Sequence, residues 1–235
     1  ITDDVFETAI GLDGKSAGIK FKQDGNYYLS VDYDTTKTIC IMPGQNITIC
    51  LNGADLSSTG RVFLVAGKLT VTDCQGEGTA SGQHDNNGGA VKLLSGGEMQ
   101  LFAGTISGKA ACSSGGSVVI STDGGNITDN KTPVASALHM YGGTITGGKA
   151  ENGGNIALWH SGSFYLYGGT VTGGEATEGG GNLFLQGNSA SVVKLLGGTV
   201  TGGGATSGAG TYYQSGQLTP GAGVLLGGNG KDDLY

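Results

Sequence analysis

Short alternations of apolar and polar residues run through most of the chain. Thr144-Ile145-Thr146, Thr170-Val171-Thr172 and Thr199-Val200-Thr201 each set one branched aliphatic between two threonines. Ile156-Ala157-Leu158-Trp159 and Phe164-Tyr165-Leu166-Tyr167 alternate over longer runs. A period of two belongs to a half-buried strand, whose successive side chains turn to opposite faces. The aliphatic of each Thr-Ile/Val-Thr phrase is therefore expected to point inward and both threonines outward. Each alternation stops at glycine after a few residues, so the pattern predicts many short strands separated by glycine corners.

The strands recur in a fixed order. One phrase reads Gly104-Thr105-Ile106-Ser107-Gly108, Gly143-Thr144-Ile145-Thr146-Gly147, Gly169-Thr170-Val171-Thr172-Gly173 and Gly198-Thr199-Val200-Thr201-Gly202. Weaker copies are Gly125-Asn126-Ile127-Thr128 and Lys68-Leu69-Thr70-Val71-Thr72. A second phrase runs in step: Gly88-Gly89-Ala90-Val91, Gly115-Gly116-Ser117-Val118, Gly153-Gly154-Asn155-Ile156 and Gly180-Gly181-Asn182-Leu183. Counted this way, a unit has about 18–29 residues and two or three strands, as positions 105, 126, 144, 170 and 199 show. One such unit cannot bury its inward side chains alone, whereas stacked units share a continuous core. The expected fold is all-β: a right-handed parallel β-helix (β-solenoid) with irregular coils. Residues 1–37 are expected to form an N-terminal cap and lead-in strand, 38–230 the helix, and 231–235 the cut end of a longer chain.

Composition narrows the alternatives. Glycine contributes 49 of 235 residues and proline only 3, without a Gly-X-Y period, which excludes collagen. Each glycine inside an α-helix costs about 1 kcal/mol relative to alanine, which disfavours a helical protein. Charged residues make up 13% and the net charge is -7. An acidic, lysine-poor chain has no electrostatic footprint for nucleic acid. No run approaches 18 apolar residues, so no membrane insertion by a helix is expected.

The stretch Gly25-Asn26-Tyr27-Tyr28-Leu29, followed by Thr38-Ile39-Cys40-Ile41-Met42-Pro43-Gly44-Gln45-Asn46-Ile47-Thr48-Ile49-Cys50-Leu51-Asn52-Gly53, resembles the opening of a known group of modules. These are right-handed parallel β-helix (pectate-lyase-like solenoid) modules of secreted or cell-wall-anchored surface proteins of Gram-positive, often gut, bacteria. Gly67–Asp73 is similar to that group's next coil, and the Gly-Gly-Thr-Ile-Thr-Gly-Gly units to its body, over roughly residues 24–228. The resemblance implies extracellular placement and a role as adhesin, carbohydrate-binding module or polysaccharide-active enzyme. Fold alone does not license a function.

Catalytic chemistry is hard to find. Glycoside hydrolysis needs two carboxylates about 5–9.5 Å apart. The acids within the coils, such as Glu77, Asp85, Glu98 and Asp123, are sparse and out of register with one another. Polygalacturonase-type motifs, the calcium-binding nonapeptide, zinc spacings and a nucleophile elbow are all absent, so no catalytic residue, metal ligand or cofactor is assigned. Glu151, Glu175 and Glu178 follow equivalent phrases and read as solvated corner charges or a weak divalent-ion site. The aspartates at 3, 4, 13, 24, 32 and 34 read as a solvated cap, with calcium as the alternative. Cys40, Cys50, Cys74 and Cys112 read either as buried thiols or as including one disulfide between neighbouring strands, which lie about 4.8 Å apart.

The large outward side chains remain. With Ile156 and Leu158 inward, Ala157 and Trp159 face out, as do Phe184 and Gln186 in the next unit, with Tyr213 expected under Phe184. With Phe164 and Leu166 inward, Tyr165 and Tyr167 face out; His139 aligns with Tyr165, and Phe102, Tyr141 and Leu196 align with Tyr167. Such a face suits a polysaccharide, whether a host or plant glycan, because aromatic planes stack on sugar C–H faces while Asn, Gln and His bond hydroxyls. The alternative is that these aromatics pack inward or under a loop. The outward threonines invite an ice-binding reading as well, although threonine is also simply a good strand former. The expected function is a non-catalytic extracellular glycan-binding module using Trp159, Tyr165, Tyr167, Phe184, Tyr141, His139, Tyr213 and Gln186. The alternatives are a structural stalk of a surface protein and a fragment of a polysaccharide lyase or hydrolase. An uncapped last coil would invite end-to-end or edge pairing of two copies.

Overall fold

The computed structural model describes residues 1–123, 127–128, 132–187, 190–207, 211–215, 217–220 and 225–228; of 187, 211–215, 217–218, 220 and 225–228 it describes the backbone. Residues 231–235 and the first half of the phrase at Asn126, Gly125 and Asn126, lie outside the described residues. The described chain is all-β, apart from one 3₁₀ turn at Asp3–Val5.

Among the described residues the strands fall into sheets of nine, eight, eight and three strands. The chain visits the three large sheets in turn, adding one strand to each per circuit. Ile156–His160 joins the first sheet, Ser163–Leu166 the second and Thr170–Thr172 the third. One circuit later Leu183–Gly187, Val192–Leu195 and Thr199–Gly203 pair with them in parallel, Ile156 opposite Leu183, Phe164 opposite Val193 and Val171 opposite Val200. Inward residues from all three sheets meet in one apolar cluster, including Phe63, Leu69, Ile106, Leu138, Phe164 and Val171. All six are fully buried. Each such burial is favourable by roughly 1.5–3 kcal/mol relative to exposure.

Two repeat assignments need correction. Thr105 pairs directly with Thr144, so the phrase at Asn126 adds no rung to the third sheet, and one circuit spans 39 residues rather than 29 at most. Lys68–Thr72 belongs to the second sheet, between Asn46–Cys50 and Glu98–Leu101, whereas the third-sheet member of its circuit is Thr79–Gly82. The alternation Leu-Thr-Val-Thr is shared by strands of both sheets, so pattern alone does not separate them.

Parallel pairing also starts before residue 38. Gly25–Tyr28 pairs with Asn46–Cys50 and Tyr33–Thr35 with Leu56–Ser58. The end of the first sheet is covered by an antiparallel hairpin, Phe6–Ile10 against Ser16–Phe21. Phe6, Phe21, Tyr27 and Tyr33 close the core there, with neighbouring ring centroids 4.3–5.9 Å apart. The N-terminal aspartates serve this end as hydrogen-bond acceptors. Asp3 accepts from the Tyr33 hydroxyl, Asp24 from the Asn46 amide and Asp32 from the Asp55 amide.

Candidate functional site

The expected aromatic residues occupy two different faces. Trp159, Phe184 and Gln186 lie on the outside of the first sheet; His139, Tyr141, Tyr165 and Tyr167 lie on the outside of the second.

On the second sheet the rings stack on one another. Phe102, Tyr141 and Tyr167 form one column, with centroids 4.7 and 4.8 Å apart and planes within 12° of parallel. His139 and Tyr165 form a second column at 4.7 Å and 5°, flanked by Gln100 on one side and Lys194 on the other. The spacing follows from strand separation, which brings in-register side chains to about 4.8 Å. The sequence register is therefore correct, but its chemical reading changes. The faces of the central rings are used by their neighbours, so this surface offers a sugar ring edges and hydroxyls rather than open π-faces. His139 is half-buried, and burial holds its pKa below the ordinary histidine value.

The first sheet differs because a second layer partly covers it. Phe184 is 4% exposed and packs with Val119 and Ala157, while Trp159 rests against this group at the edge. Phe184 is outward of the sheet yet buried, which corrects its expected role as an open stacking platform. The cover is the glycine phrase itself. A β-carbon at Gly115 would lie 2.6 Å from a Val119 methyl, and one at Gly153 would lie 3.0 Å from the Ala157 β-carbon. Both glycines have positive φ, 57° and 67°, where a side chain is also strained. Tyr212, and not Tyr213, stands opposite Phe184 in the backbone register, because Leu185 pairs with Tyr213. The side chain of Tyr213 lies outside the described residues.

Behind the glycine corners the chain builds the three-stranded sheet, from Ala111–Ser114, Lys149–Asn152 and Glu175–Gly179. This sheet walls one side of a trough that runs along the outside of the first sheet, across successive circuits. Three recesses make up the trough. The first, of 390 Å³, is lined by Asn152, Glu178, Phe184, Gln186 and Thr206. The second, of 310 Å³, shares Asn152 and adds Lys92, Ser113, Asp123, Glu151, Trp159 and His160. The third, of 190 Å³, shares Lys92 and Asn87 and adds Arg61, His84 and Asn86.

Sequence reasoning missed most of the polar lining. His160 has φ of 57°, uncommon for a non-glycine residue, and its Nδ1 lies 3.2 Å from Asp123. Arg61 is 9% exposed. Its Nε donates to the Gly88 carbonyl at 2.9 Å, and burial brings its pKa down to about 10. The only sequence signal for these residues was their being large polar groups among glycines.

The acidic edge is structurally occupied. Glu175 pairs with Lys149 at 2.9 Å, and Glu178 accepts from the Asn152 amide at 2.9 Å. Among the described residues no three His, Cys, Asp or Glu side chains are grouped to hold a metal ion. Cys40 and Cys112 are buried, and burial pushes the Cys40 thiol up to about 12; Cys50 and Cys74 lie side by side. Comparison with protein-family models, curated proteins and solved structures finds no match.

Proposed function

We propose that the protein is a non-catalytic extracellular glycan-binding module, secreted or attached to a bacterial cell wall, built as a right-handed parallel β-helix. The sequential visiting of three parallel sheets supports the helix. The strong bias of parallel crossovers, about 98% right-handed, supports that hand. The observation that carries the binding reading is the trough. It runs across stacked circuits, as a linear polymer requires, and it presents the half-exposed Trp159 among Asn, Ser, Gln, Glu and His side chains. Ligand pockets combine an apolar or aromatic surface with a few placed polar groups, and this trough has that composition. The binding residues are Trp159, Gln186, Asn152 and His160; the second-sheet aromatics contribute rigidity.

The test is titration of Trp159 fluorescence with plant and host polysaccharides, alongside affinity electrophoresis of Trp159→Ala. A saturable change, with mobility retardation lost in the variant, is the expected result. No response to any polymer, and equal mobility of both proteins, would remove the reading.

One observation favours a second reading, a structural stalk. The columns Phe102–Tyr141–Tyr167 and His139–Tyr165 tie circuits together on an exposed face. A stalk is expected to show no polymer response and high resistance to unfolding. Neither reading involves bond cleavage, and no release of reducing sugar is expected.

A further inference from the structure

Three basic groups converge at one end of the trough. The guanidinium of Arg61 is buried, donates to the carbonyls of Gly88 and Asn87, and lies 3.3 Å from Nδ1 of His84. The Asn86 amide also donates to that ring nitrogen, at 3.1 Å. With two donors aimed at Nδ1, the neutral ring carries its proton on Nε2 and retains one N–H to give. Lys92 stands on the outer face of the first sheet, half-buried, and lines the same recess.

Among the described residues, neither Arg61 nor Lys92 has a carboxylate within ion-pairing distance. Asp123, the acid that acts on Lys92 at longer range, is engaged by His160 at 3.2 Å, and Asp85 acts on His84 from a distance. Two cations drawn out of water beside each other are costly, and buried charges are ordinarily paired. A protein of net charge -7 has acids to spare, yet none of the described ones ion-pairs with Arg61 or Lys92. An anion from outside would supply the missing partner.

We infer that the recess of Arg61, Lys92 and His84 binds the anionic substituent, a carboxylate or sulfate ester, of an acidic polysaccharide lying in the trough. This rests on the glycan-binding reading. The strands beside Arg61 and at Trp159, Phe63–Val65 and Ile156–His160, are three pairings apart in the first sheet, roughly 14 Å at the strand spacing. A chain of several sugars is needed to reach both, so the trough selects polymers over single acids.

Two arms separate this inference from the reading beneath it. The first follows the His84 ring by NMR during titration with inorganic sulfate, in the wild type, Lys92→Gln and Arg61→Lys. A saturable shift that weakens about tenfold in Lys92→Gln is expected; each tenfold corresponds to about 1.4 kcal/mol. A ring that sulfate leaves unmoved, or a response that neither variant alters, overturns the site. The second arm measures Trp159 fluorescence with polygalacturonate, dextran sulfate and plain dextran, and so distinguishes carboxylate from sulfate. At least one acidic polymer is expected to bind tenfold or more tighter than dextran, with the margin shrinking as salt rises. Dextran binding as tightly as both acidic polymers overturns the inference and leaves the glycan reading standing. Silence from all three polymers, with the sulfate response intact, removes the glycan reading and with it the polysaccharide as occupant, leaving a site for a small anion.

Discussion

The sulfur atoms of Cys50 and Cys74 lie 2.8 Å apart, joining two consecutive circuits of the second-sheet side. Cys50 ends its strand opposite Thr72, and Cys74 follows two residues later. A disulfide needs sulfurs at about 2.05 Å, so little movement separates the dithiol from the bond. Exposure to oxidised glutathione is expected to form it, with both thiol protons lost and two molecules of reduced glutathione released. Closing a loop of this length stabilises the fold by about 3.5 kcal/mol in the chain-entropy account. A hydrogen bond with Cys50 holds the Cys74 thiol above its ordinary pKa, and the Asp73 charge adds to this, so the exchange should quicken in mild alkali. Non-reducing peptide mapping should find one bridge, Cys50 to Cys74, with Cys40 and Cys112 alkylated only after denaturation. A bridge to Cys40 or Cys112 in the native protein would contradict the register.

A buried polar ladder gives the second prediction. The Asn155 side chain uses all its main hydrogen-bonding capacity. Its oxygen accepts from the Gly148 amide at 3.0 Å and from Ser117 at 3.2 Å; its nitrogen donates to the Thr172 carbonyl and to the Asn182 oxygen, both at 2.8 Å. Asn182 repeats the pattern with Gly174 and Thr201. Asn155→Ala leaves buried partners unsatisfied and should cost about 2–4 kcal/mol, at roughly 1–3 kcal/mol per orphaned group with partial relaxation. Asn155→Asp should cost at least as much, because a carboxylate would face the Thr172 carbonyl. Chemical denaturation measures both; a loss under 1 kcal/mol for the alanine variant would refute the ladder's role.

The repeat makes part of this architecture legible in the chain and leaves part of it hidden. The register of His139 with Tyr165 and of Tyr141 with Tyr167 follows from aligning repeats, because a period of two determines which side chains stack. Whether an outward residue is open to solvent does not follow. Phe184 and Ala157 point away from the core, yet they are buried under the glycine corners that carry the repeat. That cover comes from backbone passing close by at Gly115 and Gly153, and no hydrophobic pattern encodes it. The trough was equally hidden: Lys92 stands where the repeat puts Val119, Ala157 and Phe184, and no repeated polar residue at that position marks it as a site. The false rung at Asn126 shows the opposite error, a local phrase without its neighbours' pairing.

The stacked columns predict a split between stability and binding. Tyr141 lies between Phe102 and Tyr167, and removing its ring in Tyr141→Ala should cost about 1–2 kcal/mol, since each stacked aromatic pair gives roughly 0.5–1.5 kcal/mol beyond burial. Tyr141→Phe keeps both stacks and should change stability by less than about 0.5 kcal/mol. Neither variant should weaken polymer binding, whereas Trp159→Ala should abolish it. Thermal unfolding together with affinity electrophoresis reads both quantities. Loss of binding in Tyr141→Ala with its fold intact would move the binding surface to the second sheet.

Histidine 139 adds a pH dependence to the same face. Burial holds its folded pKa below the ordinary value; the charge of Glu98 opposes this and that of Lys68 adds to it. A depressed histidine pKa means the unfolded chain binds the proton more readily. The contribution to stability is therefore complete above the unfolded value of about 6.5 and is lost as the pH falls below it towards the folded value. His139→Gln should flatten the part of the stability profile between neutrality and mild acid that this group causes. An unchanged profile in the variant would assign that slope to His84, whose pKa is also lowered, by burial and then by Arg61.

Asp73 sets the behaviour in stronger acid. The residue is 8% exposed, and its carboxylate accepts amide hydrogen bonds from Gly53 at 2.8 Å, Gln75 at 3.1 Å and Gly78 at 2.7 Å. Desolvation alone would raise its pKa, but the backbone donors of Gly78, Gly53, Gln75 and Gly76 outweigh it and the net shift is downward. The unfolded chain thus takes up the proton first. The stabilisation is fully present above the unfolded value of about 3.9 and is lost as the pH falls through the folded one. In Asp73→Asn one oxygen still accepts from Gly53 and Gln75, while the new NH₂ meets the Gly78 amide donor head-on. That exchange should cost about 1–3 kcal/mol at neutral pH. Because the variant cannot titrate there, its stability below pH 4 should fall less steeply than the wild type's. Urea denaturation at several pH values measures both effects. If the two acid slopes are parallel, Asp73 does not bind its turn in the ionised form.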